Sequence, residues 1–351
     1  MTEIKEVIIL GAGASKSDGA PMQSELFKVF FEKRSIFEDM KISYPNRWNL
    51  VEEQEILIKD FFYDLWGIDI LNYKNIEEFP TFEECMGMLD LANIKGQSFK
   101  GYDQEKINKT CIALFFLISY LLDNKNLKEI NHKKLIERLK SENRLEKTAF
   151  ISLNYDILID NTLIDLITES CIDYGIEFIN HKRPQDADKS VLLLKPHGSL
   201  NWLYCPTCNH IELFPKSYWP IKLFIKGLKE NCKNCGTPMK FVIVPMTYFK
   251  EMSNPFIQQI FLKADEILRN ADTIFFCGYS FPDADIHIKY LLKRAERFRG
   301  ETPEIFVLNN HGTKTGQQKK IEKARFERFF RNKDKIQYTK KSFKYFVEKG
   351  I

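Results

Sequence analysis

Residues 6–15, EVIILGAGAS, decide how the rest of the chain is read. Val7, Ile8, Ile9 and Leu10 make a short apolar run rich in branched side chains, which suit a pleated and buried strand. The run stops at Gly11-Ala12-Gly13-Ala14-Ser15, and a helical pattern follows around Gln23 to Lys33. Strand, glycine turn and helix in that order begin an α/β layer. Glycines let backbone N–H groups come close to a phosphate, so Gly11, Ala12, Gly13 and Ser15 are candidate cofactor contacts. Lys16 stands where a GxGxxG turn has its third glycine, and no Gly-Lys-Ser/Thr ending of a P-loop is present. A tight structural turn therefore remains an open alternative from these residues alone.

Working outward, five later apolar runs also end in polar turns: TAFISLNYD (148–156), VLLLKPHGS (191–199), FVIVP (241–245), DTIFFCGYS (272–280) and PEIFVLNN (303–310). Helical segments separate several of them, so a Rossmann-like parallel sheet buried on both faces is expected. From about Ile36 to Leu145 the pattern changes to long charged helices, around Val51–Phe62, Phe82–Ala92, Lys106–Leu122 and His132–Lys140. We read 36–145 as a helical insertion in a core made of 1–35 and 146–351. Open parallel sheets bind ligands beyond the carboxyl ends of their strands. Here those ends carry Gly11 to Ser15, Asn154 and Asp156, His197 to Ser199, Gly278 to Ser280, and Asn309.

Composition narrows the class. The 351 residues are 44% hydrophobic and 28% charged, with 29 Phe, so a large packed core is expected and extended disorder is not. The first apolar run ends in a glycine turn rather than a cleavage site, and the longest one, Cys111 to Leu122, is too short to cross a bilayer. A cytoplasmic protein without a membrane partner is expected. The net charge of +4 is small, and the basic stretch 314–341 reads as a solvated helix face interleaved with Ile321, Phe326, Phe329 and Phe330. Nucleic acid is the weaker reading of that stretch.

The eight cysteines divide in two groups. Cys205, Cys208, Cys232 and Cys235 form two CxxC pairs, a spacing suited to a tetrahedral thiolate zinc site. A redox dithiol is the competing reading, but two paired units favour metal, and four thiolates leave no open position, so the zinc would be structural. A small zinc ribbon is expected over 204–240, with Gly236 easing the second knuckle and Phe214, Tyr218, Trp219 and Phe224 available to cover it. Cys85, Cys111, Cys171 and Cys277 lie in apolar patterns and read as core.

Taken in order, these elements resemble those of sirtuins. Gly11 to Ser15 with Gly19-Ala20-Pro21 resembles the family's opening turn and cofactor loop, and Ser152 to Asp156 its Gln-Asn-Ile-Asp element. His197-Gly198-Ser199 matches its His-Gly-Ser, the four cysteines its ribbon, and Gly278-Tyr279-Ser280 its Gly-Thr-Ser ribose turn. Asn309 sits where a late strand-end Asn contacts adenosine. The resemblance implies NAD as substrate, Asn154, His197 and Asp156 as catalytic residues, and Gly278, Ser280 and Asn309 as further cofactor contacts. Pro21-Met22-Gln23-Ser24 replaces the Pro-Asp-Phe-Arg of deacetylating sirtuins, and the block 36–145 is larger than theirs. Both features resemble the divergent sirtuin-like NAD hydrolases of bacterial anti-phage defence, where the implied role is NAD depletion. Protein-lysine deacylation and a catalytically silent NAD or ADP-ribose sensor are the alternatives. An unrestrained NAD hydrolase would poison its host, so an oligomer or a regulatory partner is expected.

The residue types fit cleavage at the ribose. Nicotinamide leaves NAD as a neutral molecule, so the acid that ordinary glycosidases supply is not needed. His197 is suited to act as a base near neutral pH, Asn154 to position water or ribose, and Asp156 to hold the carboxamide and favour an oxocarbenium. Asp283, Asp285 and His287 read as a helix start after Pro282 rather than a metal cluster.

Overall fold

The computed structural model describes residues 3–22, 25–32, 36–70, 72, 79–122, 127–128, 130–184, 190–214, 231–244, 254–309 and 314–350. The opening strand, β1 (Glu6–Leu10), lies at the centre of a sheet between β2 (Thr148–Ser152) and β8 (Thr273–Cys277), parallel to both. Beyond β2 come β4 (Val191–Leu194) and β3 (Ile172–Asp173); beyond β8 come β9 (Glu304–Leu308) and β10 (Ile336–Thr339). The fold is α/β, with seven parallel strands in the order β10-β9-β8-β1-β2-β4-β3. Consecutive residues Val7 to Leu10 and Thr148 to Ser152 are all buried, so both faces of these strands are covered.

Topology and register place the functional edge. The chain builds outward from β1 on one side, then returns to β8 on the other, which makes the β1–β8 boundary a topological switch point. Leu10 stands opposite Ser152 and Cys277, and Cys277 opposite Leu308. The next residues, Gly11, Leu153, Gly278 and Asn309, therefore emerge along one edge.

A second hydrophobic core is helical. It is built from α2 (Leu26–Glu32), α3 (Ile36–Ser43), α4 (Trp48–Trp66), α5 (Phe82–Lys95) and α6 (Gln104–Leu121), with Tyr155, Leu158 and Leu200 joining from the sheet side. Phenylalanines fill both cores, and here they meet ring to ring. Phe27 meets Phe62 edge-on at 5.0 Å, Phe30 meets Phe37 at 5.1 Å, and Phe31 meets Phe62 at 5.2 Å. Such edge-to-face pairs add to burial by opposing ring quadrupoles. Helix starts are fixed by short polar side chains: Thr81 and Glu84 form a reciprocal capping box on α5, and Asp103 caps α6. The packing seam does not follow the sequence span. Ala20 and α2, which precede residue 36, belong to the helical core, whereas Leu135, Ile136 and Leu139 of α7 (Ile130–Ser141) pack on the sheet. Among the described residues no helix is long and apolar enough to cross a membrane.

Three local readings change. Phe241 to Val244 does not join the parallel sheet: β7 (Lys240–Ile243) pairs antiparallel with β5 (Gly198–Cys205), which also pairs with β6 (His210–Leu213). An apolar run of that length is compatible with either sheet, and periodicity cannot separate them. The basic stretch holds a helix, Gly316–Phe329, but also strand β10, and Ile321 is exposed rather than packed. Phe326 and Phe330 are buried as expected. Gln23, Ser24, Tyr218, Trp219 and Phe224 lie outside the described residues.

One buried pair ties the turn after β1 to α7. The Asp18 carboxylate accepts from the backbone N–H of Asn131 and His132 at 2.8 and 3.0 Å, from Asn131 Nδ2 at 2.7 Å, and contacts His132 Nδ1 at 2.6 Å. Burial pushes this carboxyl upward, but His132 and the two backbone donors outweigh it and hold it below the ordinary aspartate range. A depressed carboxylate contributes stability above its unfolded pKa of about 3.9 and loses it as pH falls through the lower folded value. Asp18→Asn should therefore cost about 1–3 kcal/mol at pH 7, as expected for a buried carboxylate that loses its charge-assisted hydrogen bonds. In urea unfolding the gap between variant and parent should shrink as pH drops from 5 toward 3; a constant gap would show that the charge is not what stabilises.

Candidate functional site

The two glycine turns at the switch point are pressed together. Gly13 N–H donates to the Gly278 carbonyl at 2.8 Å, and Gly11 N–H to the Cys277 carbonyl at 3.0 Å. A Cβ on Gly278, whose φ is +64°, would lie 2.1 Å from Ala14 N; one on Gly13 would lie 2.8 Å from Gly278 Cα. The glycines are thus required by backbone packing between strand ends, whatever they do for a ligand. The helix that follows, α1 (Ala12–Lys16), places Ser15 one turn on, with its side chain buried.

Ser15 joins two of the candidate catalytic residues. Asn154 Nδ2 donates to Ser15 Oγ at 2.9 Å and to the Gly11 carbonyl at 3.0 Å; Ser15 Oγ donates in turn to Asp156 Oδ2 at 2.7 Å. Both amide hydrogens of Asn154 are thereby used, which leaves Oδ1, an acceptor, as the group it can offer. The other oxygen of Asp156 accepts from Leu158 N–H at 3.1 Å, at the start of α8 (Leu158–Ile167). Between these two residues Tyr155 turns into the helical core and donates its hydroxyl to the Val244 carbonyl at 2.7 Å. An open cleft is lined by Ala12, Ser15, Asn154 and Asp156 on the sheet side and by Phe82, Ile118 and Leu122 on the helical side. The helical layer and the strand ends thus face the same space.

His197 sits just behind this group. Its Nδ1 contacts the Leu153 carbonyl at 3.0 Å, and its Nε2 contacts His287 Nε2 at 2.8 Å. The ring is fully buried and does not line the cleft. Gly198, with φ +78°, lets the chain turn from His197 into β5, because a Cβ there would lie 1.9 Å from the Val242 carbonyl oxygen. Asn309 is buried, with Nδ2 donating to the Tyr279 carbonyl at 3.0 Å and to Glu322, whereas Ser280 is exposed.

Two residues at the site were not singled out for it from sequence. Lys195, wholly buried, donates to the Asp156 carbonyl at 2.6 Å, to Ser199 Oγ at 2.7 Å and to the Asp160 carboxylate at 2.9 Å. A lysine at the end of the run VLLL is the available signal, since a buried ammonium needs buried partners. His287 is the other. Its helix starts at Ile286 with Asp285 as N-cap residue but without a side-chain cap bond, and Asp283 pairs with Lys289 at 2.6 Å instead.

The four cysteines lie at the far end of β5. Cys205 and Cys235 sulfurs are 3.5 Å apart, Cys208 and Cys232 sulfurs 3.9 Å, and all four lie within 4.8 Å of one another. Tetrahedral zinc with bonds of about 2.3 Å sets sulfurs roughly 3.8 Å apart, so the arrangement is compatible with that ion. Each knuckle is followed by a left-handed residue, Asn209 and Gly236, and Cys208 N–H donates to Cys205 Sγ at 3.3 Å. Thr237 bonds to Cys235 and holds its thiol down to about 6, while the bond from Cys235 pushes Cys208 up to about 12. Of the remaining cysteines, burial pushes Cys277 and Cys85 well up and Cys111 up to about 12, whereas Cys171, expected in the core, is half-buried and accepts from Thr168 Oγ1 at 3.6 Å. Metal analysis should find about one zinc per chain, and Cys232→Ser should lose it with a lower melting temperature. A parent that is metal-free and equally well folded would remove zinc from the fold.

Comparison with curated proteins returns no significant match. Among solved structures, the chain is similar to Sir2Tm bound to a propionylated peptide, at 15% identity and a TM-score of 0.40 over 98% of this chain and 90% of that one. It is similar to the same degree, 15% and 0.40 over 98% and 90%, to a Sir2 structure with a p53 peptide and NAD+. The profile of the SIR2-like domain matches residues 148–337. That span is more than half of the chain and runs from β2 through the cysteine cluster to β10, and on this ground the protein belongs to the SIR2-like domain family.

Proposed function

We propose that the protein is an NAD hydrolase that cleaves the nicotinamide-ribosyl bond to give nicotinamide and ADP-ribose. The observation that carries this reading is the bonded set Asn154, Ser15 and Asp156 at the switch point, with His197 immediately behind it. Membership of the SIR2-like family supports it. In this reading the glycine turns Gly11 to Ser15 and Gly278 to Ser280, with Asn309, take the dinucleotide along the strand ends. The positively charged nicotinamide ring departs neutral, so no acid is required. Asn154 Oδ1 accepts from an attacking water or a ribose hydroxyl and fixes its direction. Asp156 has two acceptor positions already filled and keeps others for the carboxamide, and its charge favours the oxocarbenium. His197 removes the proton. The cysteine cluster would hold a structural zinc that anchors β5, the strand that begins next to His197.

The helical layer supports hydrolysis over deacylation, since it occupies the cleft wall facing the candidate residues with Phe82, Ile118 and Leu122. Defence by NAD depletion is the setting we propose, with an oligomer or a partner protein restraining the enzyme. Pure protein incubated with NAD should release ADP-ribose without any peptide. O-acetyl-ADP-ribose formed only with an acetyl-lysine peptide would instead make it a deacylase, and binding without cleavage would make it a sensor.

Kinetics of single variants test the roles. His197→Ala and Asn154→Ala should each lower turnover by about two orders of magnitude or more, the scale of lost acid-base and positioning functions, with little change in NAD affinity. Asn154→Ala should also lower stability by about 1–3 kcal/mol, because Ser15 and Gly11 lose a buried partner. Asp156→Asn should fall between parent and the other two, keeping hydrogen bonds but not charge. Turnover and affinity must be measured separately for each. Near-parental cleavage by both His197→Ala and Asn154→Ala would refute the site.

A further inference from the structure

The Leu153 carbonyl can only accept a hydrogen bond, so its 3.0 Å contact places a hydrogen on His197 Nδ1 and, in the neutral ring, leaves the lone pair on Nε2. That lone pair faces His287 Nε2 at 2.8 Å. One hydrogen, and no more, fits between two nitrogens at this distance, so His287 is the donor. The spacing also argues against a shared metal ion. Two nitrogens bound to tetrahedral zinc at about 2.0–2.1 Å stand roughly 3.3 Å apart. Asp285, whose carboxylate lies within 4.8 Å of both ring nitrogens, accepts from Tyr279 Oη at 2.9 Å.

We propose that His287 is a positioning residue that caps the candidate base: it holds the His197 ring in the acceptor tautomer while the site is empty, and must release Nε2 before a ribose hydroxyl or water can be held there. This rests on the reading of His197 as the base. Nδ1 is committed to Leu153 and the ring is fully buried, so Nε2 is the nitrogen at which a substrate proton can arrive, and His287 already occupies it. Release exchanges one hydrogen-bond donor for another. His287 keeps its Nε2 hydrogen, and the incoming hydroxyl takes its place.

The segment carrying the cap begins at the cofactor turn. It starts at Gly278, in contact with Gly13, and passes through Phe281, which is fully buried with a left-handed backbone at φ +57°. That conformation is disfavoured for a bulky residue and persists where surrounding structure enforces it. Here the enforcing contacts are rings: Phe281 stacks on Phe326 at 4.7 Å and meets Phe329 at 4.9 Å. The Tyr279–Asp285 bond then closes the segment just before the helix bearing His287. A dinucleotide lying on Gly11 to Gly13 would press on the same segment that sets the cap.

The test compares parent, His287→Ala, His287→Gln, His197→Ala and the His197→Ala/His287→Ala double variant, using a carbocyclic NAD analogue that cannot be cleaved. Removing the cap should tighten analogue binding roughly three- to tenfold, the fold-change of one net hydrogen bond. The Gln variant, whose amide still donates, should stay near the parent. On the His197→Ala background the gain should vanish, since nothing is left to uncap. Equal or weaker binding by His287→Ala overturns the proposal, as does the same gain on both backgrounds, which would make His287 a steric block. A second readout needs no ligand. In nitrogen NMR spectra of the six histidines, His197 should show a protonated Nδ1 and a hydrogen-bonded Nε2 whose resonance shifts in His287→Ala. A spectrum unchanged at His197 overturns the cap. Failure of the hydrolase reading looks different: no NAD cleavage by the parent, with this NMR signature intact.

Discussion

Everything at the ligand edge depends on how closely two backbones approach at the centre of the sheet. β1 and β8 are neighbours, and the turns that leave them touch through Gly13 and Gly278, with no room for a Cβ on either. This contact fixes the start of α1 and hence Ser15, through which Asn154 and Asp156 are bonded. It also fixes the beginning of the segment that ends at His287. A side chain at Gly278 would therefore disturb the Asn154–Asp156 set and the His197 contact together, although neither touches that residue directly. In parallel sheets the switch point opens a crevice, and in this protein its two walls are held at van der Waals distance at their base.

The second core gives that edge its depth. A sheet covered by helices on both faces would still leave its strand ends open to solvent, and here the helical layer stands over them. Tyr155 is the joint between the two. Its neighbours Asn154 and Asp156 face Ser15, while its own ring packs with the helical residues and its hydroxyl reaches Val244, beside the turn that holds His197. A shift of the helical layer would act on the candidate residues through Tyr155 before any ligand was touched.

The sequence showed the sheet because its strands are fully buried apolar runs that stop at glycine or at short polar residues, and such ends are legible one run at a time. It also placed the candidate residues at the strand ends, since Asn154, Asp156, His197 and Asn309 are polar residues in places where a purely structural sheet would need none. What it hid depends on partners far away in the chain. FVIVP has the same composition as a parallel strand, and only pairing with β5 assigns it to the ribbon. The short strands β3 and β10 offer too few apolar residues to stand out. Lys195 and His287 escaped because a single charged residue after a strand, or one histidine on a helix, reads as ordinary until Asp160 or His197 is brought beside it. The glycines were noticed for the right position but with only part of the reason. Their absent side chains make room for each other's backbone as well as for any phosphate.

Most polar groups of this site bond to one another. Asn154 gives both amide hydrogens to the turn, Ser15 gives its hydroxyl to Asp156, Lys195 is held by Asp156, Asp160 and Ser199, and His197 is bonded at both nitrogens. Buried donors and acceptors left unmatched would be destabilising, so such closure is what folding favours. It also constrains binding. A ligand gains here only by offering donors to the acceptors that remain, chiefly Asn154 Oδ1 and the Asp156 carboxylate, or by replacing an internal bond at net cost near zero. A dinucleotide has hydroxyls and a carboxamide N–H₂ to offer to those acceptors, which matches the polarity the site presents. Exchange at His197 is the step with no spare acceptor, because both of its ring nitrogens already hold a hydrogen bond.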